Sequence, residues 1–549
     1  MICKKYFGLV VLLLISITSC SKRQPEESQK TAPPNILLIV ADDLGYADLG
    51  SFGGDIETPN LDELARQGLR FSRFHTAPLC AVTRAMLLSG NNNHIAGMGS
   101  QQLQTKVAGY EGHLTDRIIP LPDLLRSAGY HTYMAGKWHL GDRLEDGPQA
   151  KGFEHSFSIN AEGGANHFSN AGIFPETPVT EYTEDGQKAD WHEGDYSTDF
   201  YTDKLISYID RHREDGKPFF TFAAYTSPHW PLQVDEKYWK KYEGRYDDGY
   251  EALKAQRFES LKKAGMIPED AVLPPSHPGV KPWDSLSPEE QKKEARKMEL
   301  YAGMIDNLDF NIGRLISYLK EIGQYENTLI VFMSDNGAAA EDFYSSDFYG
   351  PYIQANYSED YAEMGKVNSF ISYGPQWAEA GSSPFKYYKG FTTEGGINTP
   401  MIIAGPGVEN KGSINDSFLT LMDFAPTFYE LANVDYPDQW NGKAVKPLLG
   451  ESLMPLLSGK SKTAHDSSYV FGLEQRGYAM IRKGDWKIVN IERPFLLENF
   501  QLINLKTDLA EQVDLKESYP EKYQEMLAEW ASFSKEVGVV IPTPKKEND

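Results

Sequence analysis

Asn35-Ile36-Leu37-Leu38-Ile39-Val40 runs directly into Ala41-Asp42-Asp43-Leu44-Gly45. An apolar run without alternation predicts a strand buried on both faces, as in the parallel sheets of α/β folds. The paired carboxylates then stand at its carboxyl end, where open α/β sheets place their sites. Read alone, Asp42-Asp43 is more often a solvated turn. What the rest of the chain brings to the same place decides between the two.

The pattern repeats outward from there. Tyr130 to Gly136 reads as a strand followed by Lys137-Trp138-His139. Pro218 to Tyr225 is a buried strand ending near Ser227-Pro228-His229, and Thr328 to Ser334 is another, ending in Asp335-Asn336-Gly337. Met401 to Ala404 precedes Gly405-Pro406-Gly407. Helices are predicted from Pro59 with Thr58 as cap, over Leu121 to Ala128, and over Glu299 to Ile322. Residues 237–300 are charged and helix-prone and read as an insertion. Alternating strands and helices imply an α/β fold with a large, mostly parallel central sheet flanked by helices. Four strand ends carrying acid, amide, lysine or histidine imply one crevice. Past residue 445 the pattern changes to a hairpin over Gly477 to Val489, a strand at Gln501 to Leu505 and a terminal helix over Glu521 to Phe533. This predicts a catalytic domain over 34–445 and a small antiparallel subdomain with a terminal helix over 446–549.

Between the first two strands lies Pro78-Leu79-Cys80-Ala81-Val82-Thr83-Arg84-Ala85-Met86-Leu87-Leu88-Ser89-Gly90. Cys80 and Arg84 are one helical turn apart and can share a face. A helix starting at Cys80 would favour an anion there. Read alone, this stretch fits a packed core thiol as well as a nucleophile. The N-terminus tips the balance. Residues 1–20 hold Lys4, Lys5, an apolar run from Leu9 to Ile17 and then Thr18-Ser19-Cys20, a secretion signal resembling a bacterial lipobox. That run is shorter than a spanning helix requires. Cys20 is the expected lipidation site, residues 21–33 a polar tether, and the mature protein is expected in the periplasm or at the cell surface, held to the membrane only by lipid. Cys3 and Cys20 then belong to the leader, and Cys80 stands alone in the mature chain. A lone cysteine in an exported protein has no disulfide to explain it, which favours chemistry.

Of 549 residues, 54 are Lys or Arg and 78 Asp or Glu, giving a net charge of −24. That argues against a nucleic-acid partner and requires a local positive pocket for any anionic substrate.

Together these motifs resemble the type I, formylglycine-dependent sulfatases of the alkaline-phosphatase superfamily, in the arylsulfatase-like bacterial branch, from about residue 34 to 520. The resemblance implies an alkaline-phosphatase-like sandwich and a sulfuric ester hydrolase. It places Cys80 at the position oxidised to formylglycine by a maturation enzyme, and Arg84 beside it. Asp42, Asp43, Asp335 and Asn336, with residue 80, match the calcium ligands. Lys137 and His139 match the Lys-x-His pair, His229 the histidine after the Ser-Pro turn, and Lys389 the sulfate-binding lysine ahead of Glu394-Gly395-Gly396. Lys137, His229 and Lys389 are thereby expected to touch substrate. Lys386, at the wrong spacing, reads as a surface lysine. Val82 departs from the family core, which has Pro or Ala there.

Three carboxylates and an amide oxygen form a hard donor set that suits Ca²⁺ or Mg²⁺; flexible carboxylate ligation and the resemblance favour calcium. In the implied chemistry, Arg84, Lys137 and Lys389 stabilise sulfuryl oxygens, His229 with Lys389 protonates the leaving alcohol, and His139 accepts a proton when sulfate is released. Two other readings stay open: a phosphodiesterase or phosphonate monoester hydrolase of the same superfamily, and an inactive glycan-binding homologue, motivated by Val82. The substrate, a sulfated small molecule or glycan, would meet loops 100–117, 155–200 and 340–385, including Phe343, Tyr344, Tyr349, Tyr352 and Trp377. His75, His94, His113 and His131 read as structural or substrate-side, with His94 the candidate for the pocket rim.

Overall fold

The computed structural model describes residues 33–101, 104–159, 164–192 and 194–541. The expected leader, Cys20 and the tether up to residue 32 lie outside them. Among the described residues no helix is long and apolar enough to cross a membrane.

The central sheet has ten strands. In chain order they are β1 (Asn35–Ala41), β2 (Leu69–Phe71), β3 (His131–Lys137), β4 (His155–Ile159), β5 (Tyr182–Glu184), β6 (Gln187–Ala189), β7 (Phe219–Ala224), β8 (Thr328–Ser334), β9 (Met401–Ala404) and β10 (Ile414–Asn415). Their spatial order is β10-β2-β9-β8-β1-β7-β3-β4-β5-β6. The middle, from β8 to β4, is wholly parallel. Both flanks turn antiparallel: β9 runs against β8 and β2, and β5 against β4 and β6. The sheet is therefore mixed, with the parallel part at its centre.

The unbroken apolar sequence of β1 has a direct cause. Leu37, Ile39 and Ala41 enter one core and Ile36, Leu38 and Val40 the other. Helices cover both faces, so neither can be polar. On the first face lie α1 (Pro59–Gln67), α4 (Ser197–His212), α5 (Gly249–Lys263) and the 34-residue α6 (Pro288–Glu321). On the second lie α2 (Cys80–Leu87) and α3 (Leu121–Ser127). A four-stranded antiparallel sheet, β11 (Val470–Gln475), β12 (Tyr478–Lys483), β13 (Trp486–Asn490) and β14 (Gln501–Asn504), packs against the terminal helix α7 (Pro520–Val537).

Several local expectations change. Helix α6 begins well before Glu299, at a capping box in which Ser287 and Glu290 satisfy each other's backbone N–H groups. Its first turns are charged because they are solvated, which hid them from an apolar pattern. Thr58 occupies the N-cap of α1 without capping it; its hydroxyl accepts the Gly50 N–H at 3.0 Å instead. The charged 237–300 stretch is built into the main body. Arg257 of α5 is buried and donates to Asp48 at 2.6 Å and Asp55 at 2.8 Å. Arg257→Leu is expected to leave two buried carboxylates without their cation and to cost about 3–5 kcal/mol. Urea unfolding checks this; an unchanged midpoint would show the pairing to be dispensable.

Candidate active site

Register gathers the site. In β1, Ala41 pairs with Ser334 of β8 and Val40 with Ala224 of β7, while Ala224 pairs with Gly136 of β3. Four neighbouring parallel strands thus end together. Asp42-Asp43, Asp335-Asn336, Lys137 with His139, and His229 all project from this edge, as strand ends of an open sheet allow. Helix α2 brings Cys80 as its first residue, and the loop ahead of Glu394 brings Lys389.

The contacts are close. Both Asp42 oxygens accept from Lys137 Nζ, at 2.9 and 2.7 Å. Asp43 Oδ2 accepts from Lys389 Nζ at 2.8 Å and lies 3.4 Å from His229 Nε2. Asp43 Oδ1 accepts from Asn336 Nδ2 at 2.6 Å, with Cys80 Sγ at 3.8 Å. Asp335 Oδ2 accepts from Arg84 Nε and Nη2 at 3.2 and 2.9 Å, and Arg84 Nη1 donates to the Lys137 carbonyl at 2.6 Å. Arg84 therefore locks α2 to two strand ends. Asp335 Oδ1 accepts the Asp43 N–H at 3.2 Å. Donor atoms of Asp42, Asp43, Cys80 and His229 lie within 4.8 Å of one another. Asp335 stands outside that group, with both oxygens engaged as described.

Burial governs the proton affinities. It pushes the Cys80 thiol well up, against Lys137 and Lys389, which favour the thiolate. It pushes Asp42 up to about 8, with Lys137 opposing and Asp335 and Asp43 assisting. Burial lowers His229 well below the ordinary imidazole range, reinforced by Lys389 and Lys137. The same holds for His139, beside Lys137, Arg84 and Lys389. For Lys389, burial opposes the charge, but Asp43, Cys80 and Glu341 outweigh it and hold the ammonium well above its usual value.

The tautomer of His229 is fixed, because its Nδ1 lies 2.7 Å from the Trp230 carbonyl, which can only accept. His139 has a left-handed backbone (φ 61°) and a buried Nδ1 without a hydrogen-bond partner; Asp43 is also left-handed (φ 68°). Two non-glycine residues with positive φ at one site are strain that the surrounding fold sustains. Gly164 packs against His229 so closely that an added Cβ would sit 2.7 Å from Cε1.

A hard cation fits this donor set. Asp42, Asp43 and Asp335 supply carboxylates, and the buried Asn336 Oδ1 has no hydrogen-bond partner. These carboxyl groups face Lys137, Lys389 and Arg84, and a divalent cation would add positive charge and favour the ionised form of Asp42.

Other residues were not visible as site residues. Trp230 packs against His229, with ring centroids 4.0 Å apart and the rings tilted by 47°, and lies under Lys389 Nζ at 6.0 Å. Glu341 approaches Lys389 at 3.8 Å. Glu394 accepts from Lys487 at 2.8 Å and lies 2.8 Å from His75 Nε2, so the C-terminal sheet braces the turn after Lys389. Trp230 lies between two prolines and Glu341 follows Ala338-Ala339-Ala340, loop sequence that carries no signal of its own. Some expectations fall elsewhere. Trp377 is fully buried among Tyr246, Tyr250 and Trp283, far from a mouth role. Phe343 and Tyr349 do gather with Phe174, and Phe343 meets Trp230. His94 is buried against Glu474 at 3.1 Å and is a clasp rather than a rim residue. Lys386 is half-buried, donating to the Glu511 carbonyl at 3.1 Å.

Residues 34–434 match the family model for sulfatases. The chain belongs to the sulfatase family. Residues 385–532 of this sulfatase also match the C-terminal model of N-sulphoglucosamine sulphohydrolase. An uncharacterized sulfatase of Schizosaccharomyces pombe is 40% identical over 533 residues, covering 94% of this chain and 95% of its own. An arylsulfatase of Klebsiella aerogenes is 40% identical over 440 residues, covering 78% of this chain and 93% of its own. The crystal structure of Ps i-CgsB superposes with a TM-score of 0.65 at 26% identity, covering 91% of this chain and 93% of that one. The sulfatase is thus a sulfuric ester hydrolase on the α/β fold of the alkaline-phosphatase-like superfamily.

Proposed function

We propose that this sulfatase is exported and hydrolyses aryl sulfates or sulfated carbohydrates, using formylglycine made from Cys80 and a calcium ion. The observation that carries the reading is the convergence of Cys80, Asp42, Asp43 and His229 within 4.8 Å, under three buried cations. The ion would be held by Asp42, Asp43, Asp335, Asn336 and residue 80. When bound, calcium would supply Lewis acidity, and the hydrated aldehyde at residue 80 would supply the nucleophile.

The chain's own residues do the remainder. Lys137 and Lys389 carry ammonium groups that can turn from the carboxylates to sulfate oxygens, and Arg84 adds charge from behind. In a chain of net charge −24 these cations make the local pocket that an anionic ester needs. His229 presents Nε2 to the leaving oxygen. Burial and two lysines favour its neutral form, and an arriving sulfate anion reverses that bias, readying it as an acid. His139, neutral and unpartnered at Nδ1, is suited to accept a proton. Trp230, Phe343 and Tyr349 offer an apolar wall to an aryl group or a sugar face. Residues 34–445 would form the catalytic domain and 446–549 the subdomain that braces Lys389.

The test is the mass of the tryptic peptide holding residue 80, from the native host, alongside turnover of an aryl sulfate and a phosphate diester. Conversion of Cys80 with preferential sulfate turnover is expected. An unmodified thiol in protein without turnover would support the inactive glycan-binding alternative; preference for the diester would support the phosphoryl one.

Localisation through Cys20 is likewise a proposal. Cys20→Ala is expected to move the protein from the membrane to the soluble fraction, because acyl chains supply the affinity. Continued sedimentation with membranes would remove the lipobox reading.

A further inference from the structure

A second cluster of donors lies at the opposite end of β3 from Lys137. His131 opens the strand, His212 ends α4, and Asp215 sits in the turn that leads to β7. Phe219 of β7 pairs with His131, and the His131 N–H donates to the Pro218 carbonyl at 2.9 Å, so this turn is held against the strand. Six residues at about 3.3 Å each put the cluster about 20 Å from Lys137. It is a separate site.

Its geometry has the features of a metal centre. One donor atom from each of His131, His212 and Asp215 lies within 4.8 Å of the others. Glu154 Oε2 lies 2.6 Å from His131 Nδ1, so a carboxylate takes that N–H and turns Nε2 inward. Metal-bound histidines are oriented by a carboxylate on the outer nitrogen in this way. Asp215 Oδ1 accepts the Lys217 N–H at 3.0 Å, and its Oδ2 is hydrogen-bonded to His131 Nε2 at 2.6 Å, so an ion would take the place of the proton in that pair. His212 stacks on His131 with centroids 4.2 Å apart, and its Nε2 is buried without a hydrogen-bond partner. The Asp215 side chain is 36% exposed, so ions can enter from solvent.

We propose that His131, His212 and Asp215 bind a divalent transition metal of the Zn²⁺ class, with Glu154 orienting His131. Two imidazoles and one carboxylate suit Zn²⁺, Co²⁺ or Ni²⁺ and are too nitrogen-rich for Ca²⁺. Ligands at about 2.0–2.1 Å from one ion stand about 3.3 Å apart. The His131–Asp215 pair must therefore open slightly and His212 swing inward. Water completes the shell on the exposed side. The ion would tie the start of β3 to the end of α4, which makes it a brace and not a part of hydrolysis.

The full-length protein, stripped of metal and then saturated with Ca²⁺, is titrated with Zn²⁺ against a chromophoric chelator. Wild type and Asp335→Asn are expected to take up one tight equivalent that raises the melting temperature. His212→Ala and Asp215→Ala are expected to lose that equivalent, and Glu154→Gln to bind about 10–100-fold more weakly. Co²⁺ in place of Zn²⁺ should show d–d absorption that disappears in His212→Ala. Sulfatase turnover with Ca²⁺ alone is expected to be unchanged in His212→Ala. Equal Zn²⁺ uptake by wild type and His212→Ala, or loss of uptake in Asp335→Asn alone, would overturn the proposal.

Discussion

Asp42→Asn and Asp335→Asn are each expected to lower sulfate-ester turnover by at least about a thousandfold, about 4 kcal/mol of barrier, with little change in the fold. Each substitution keeps the shape and removes one negative charge from the proposed cation site. Asn at 42 still leaves an acceptor for Lys137, and Asn at 335 one for Arg84. Alanine is the wrong choice here. Strand-end carboxylates look removable in the sequence, as a hydrated ion site beyond the core. In the structure Asp335 and Arg84 are both fully buried and paired. Asp335→Ala would strand a guanidinium at a cost of about 3–5 kcal/mol and confuse lost folding with lost chemistry. The companion measurement is chelation followed by Ca²⁺ return. Activity should vanish and recover. Full turnover in metal-free protein would end the calcium assignment.

The sequence made the centre of the sheet legible and left its flanks obscure, for physical reasons. β1, β7 and β8 are apolar on both faces because helices cover both, and that leaves an unbroken run. β9 has the same apolar run, yet it lies antiparallel to β8. Direction is set by the connection, which composition does not record. The apolar pattern begins α6 only at Glu299, because the turns before it face water. At the site, residue types at strand ends marked Asp42, Asp43, Lys137, His229, Asp335 and Asn336, and the sheet register brings them together. Cys80, Arg84 and Lys389 come from a helix start and a loop, so only their motifs placed them. Glu341, the Trp230–Lys389 contact and the Lys487–Glu394–His75 brace act between residues distant in the chain, which no local pattern encodes. Trp377 shows the converse, since an aromatic in a presumed mouth loop packs fully inside.

His229→Ala and His139→Ala are expected to fail at different stages. In His229 the Trp230 carbonyl holds the Nδ1 hydrogen, so Nε2, facing the Asp43 carboxylate at 3.4 Å, is the nitrogen open to proton exchange. A proton donor matters in proportion to the basicity of the departing oxygen. A nitrophenolate leaves without help, whereas a sugar alkoxide does not. His229→Ala should therefore lose about 10²–10⁴-fold on a sugar sulfate and far less on nitrophenyl sulfate. His139 sits among Lys137, Arg84 and Lys389, where a neutral ring is favoured and a proton acceptor is available. Its work follows departure of the alcohol. His139→Ala should lose similar factors on both substrates, because the slow step no longer contains the leaving group. It should also release one equivalent of alcohol per enzyme in a burst and then stall. Free sulfate, measured in parallel, should lag the alcohol in this variant and keep pace with it in His229→Ala. Equal losses on both substrates for His229→Ala, together with no burst in His139→Ala, would reverse or dissolve this division of roles. The metal and Cys80 assignments would stand untouched, because neither depends on which histidine acts first.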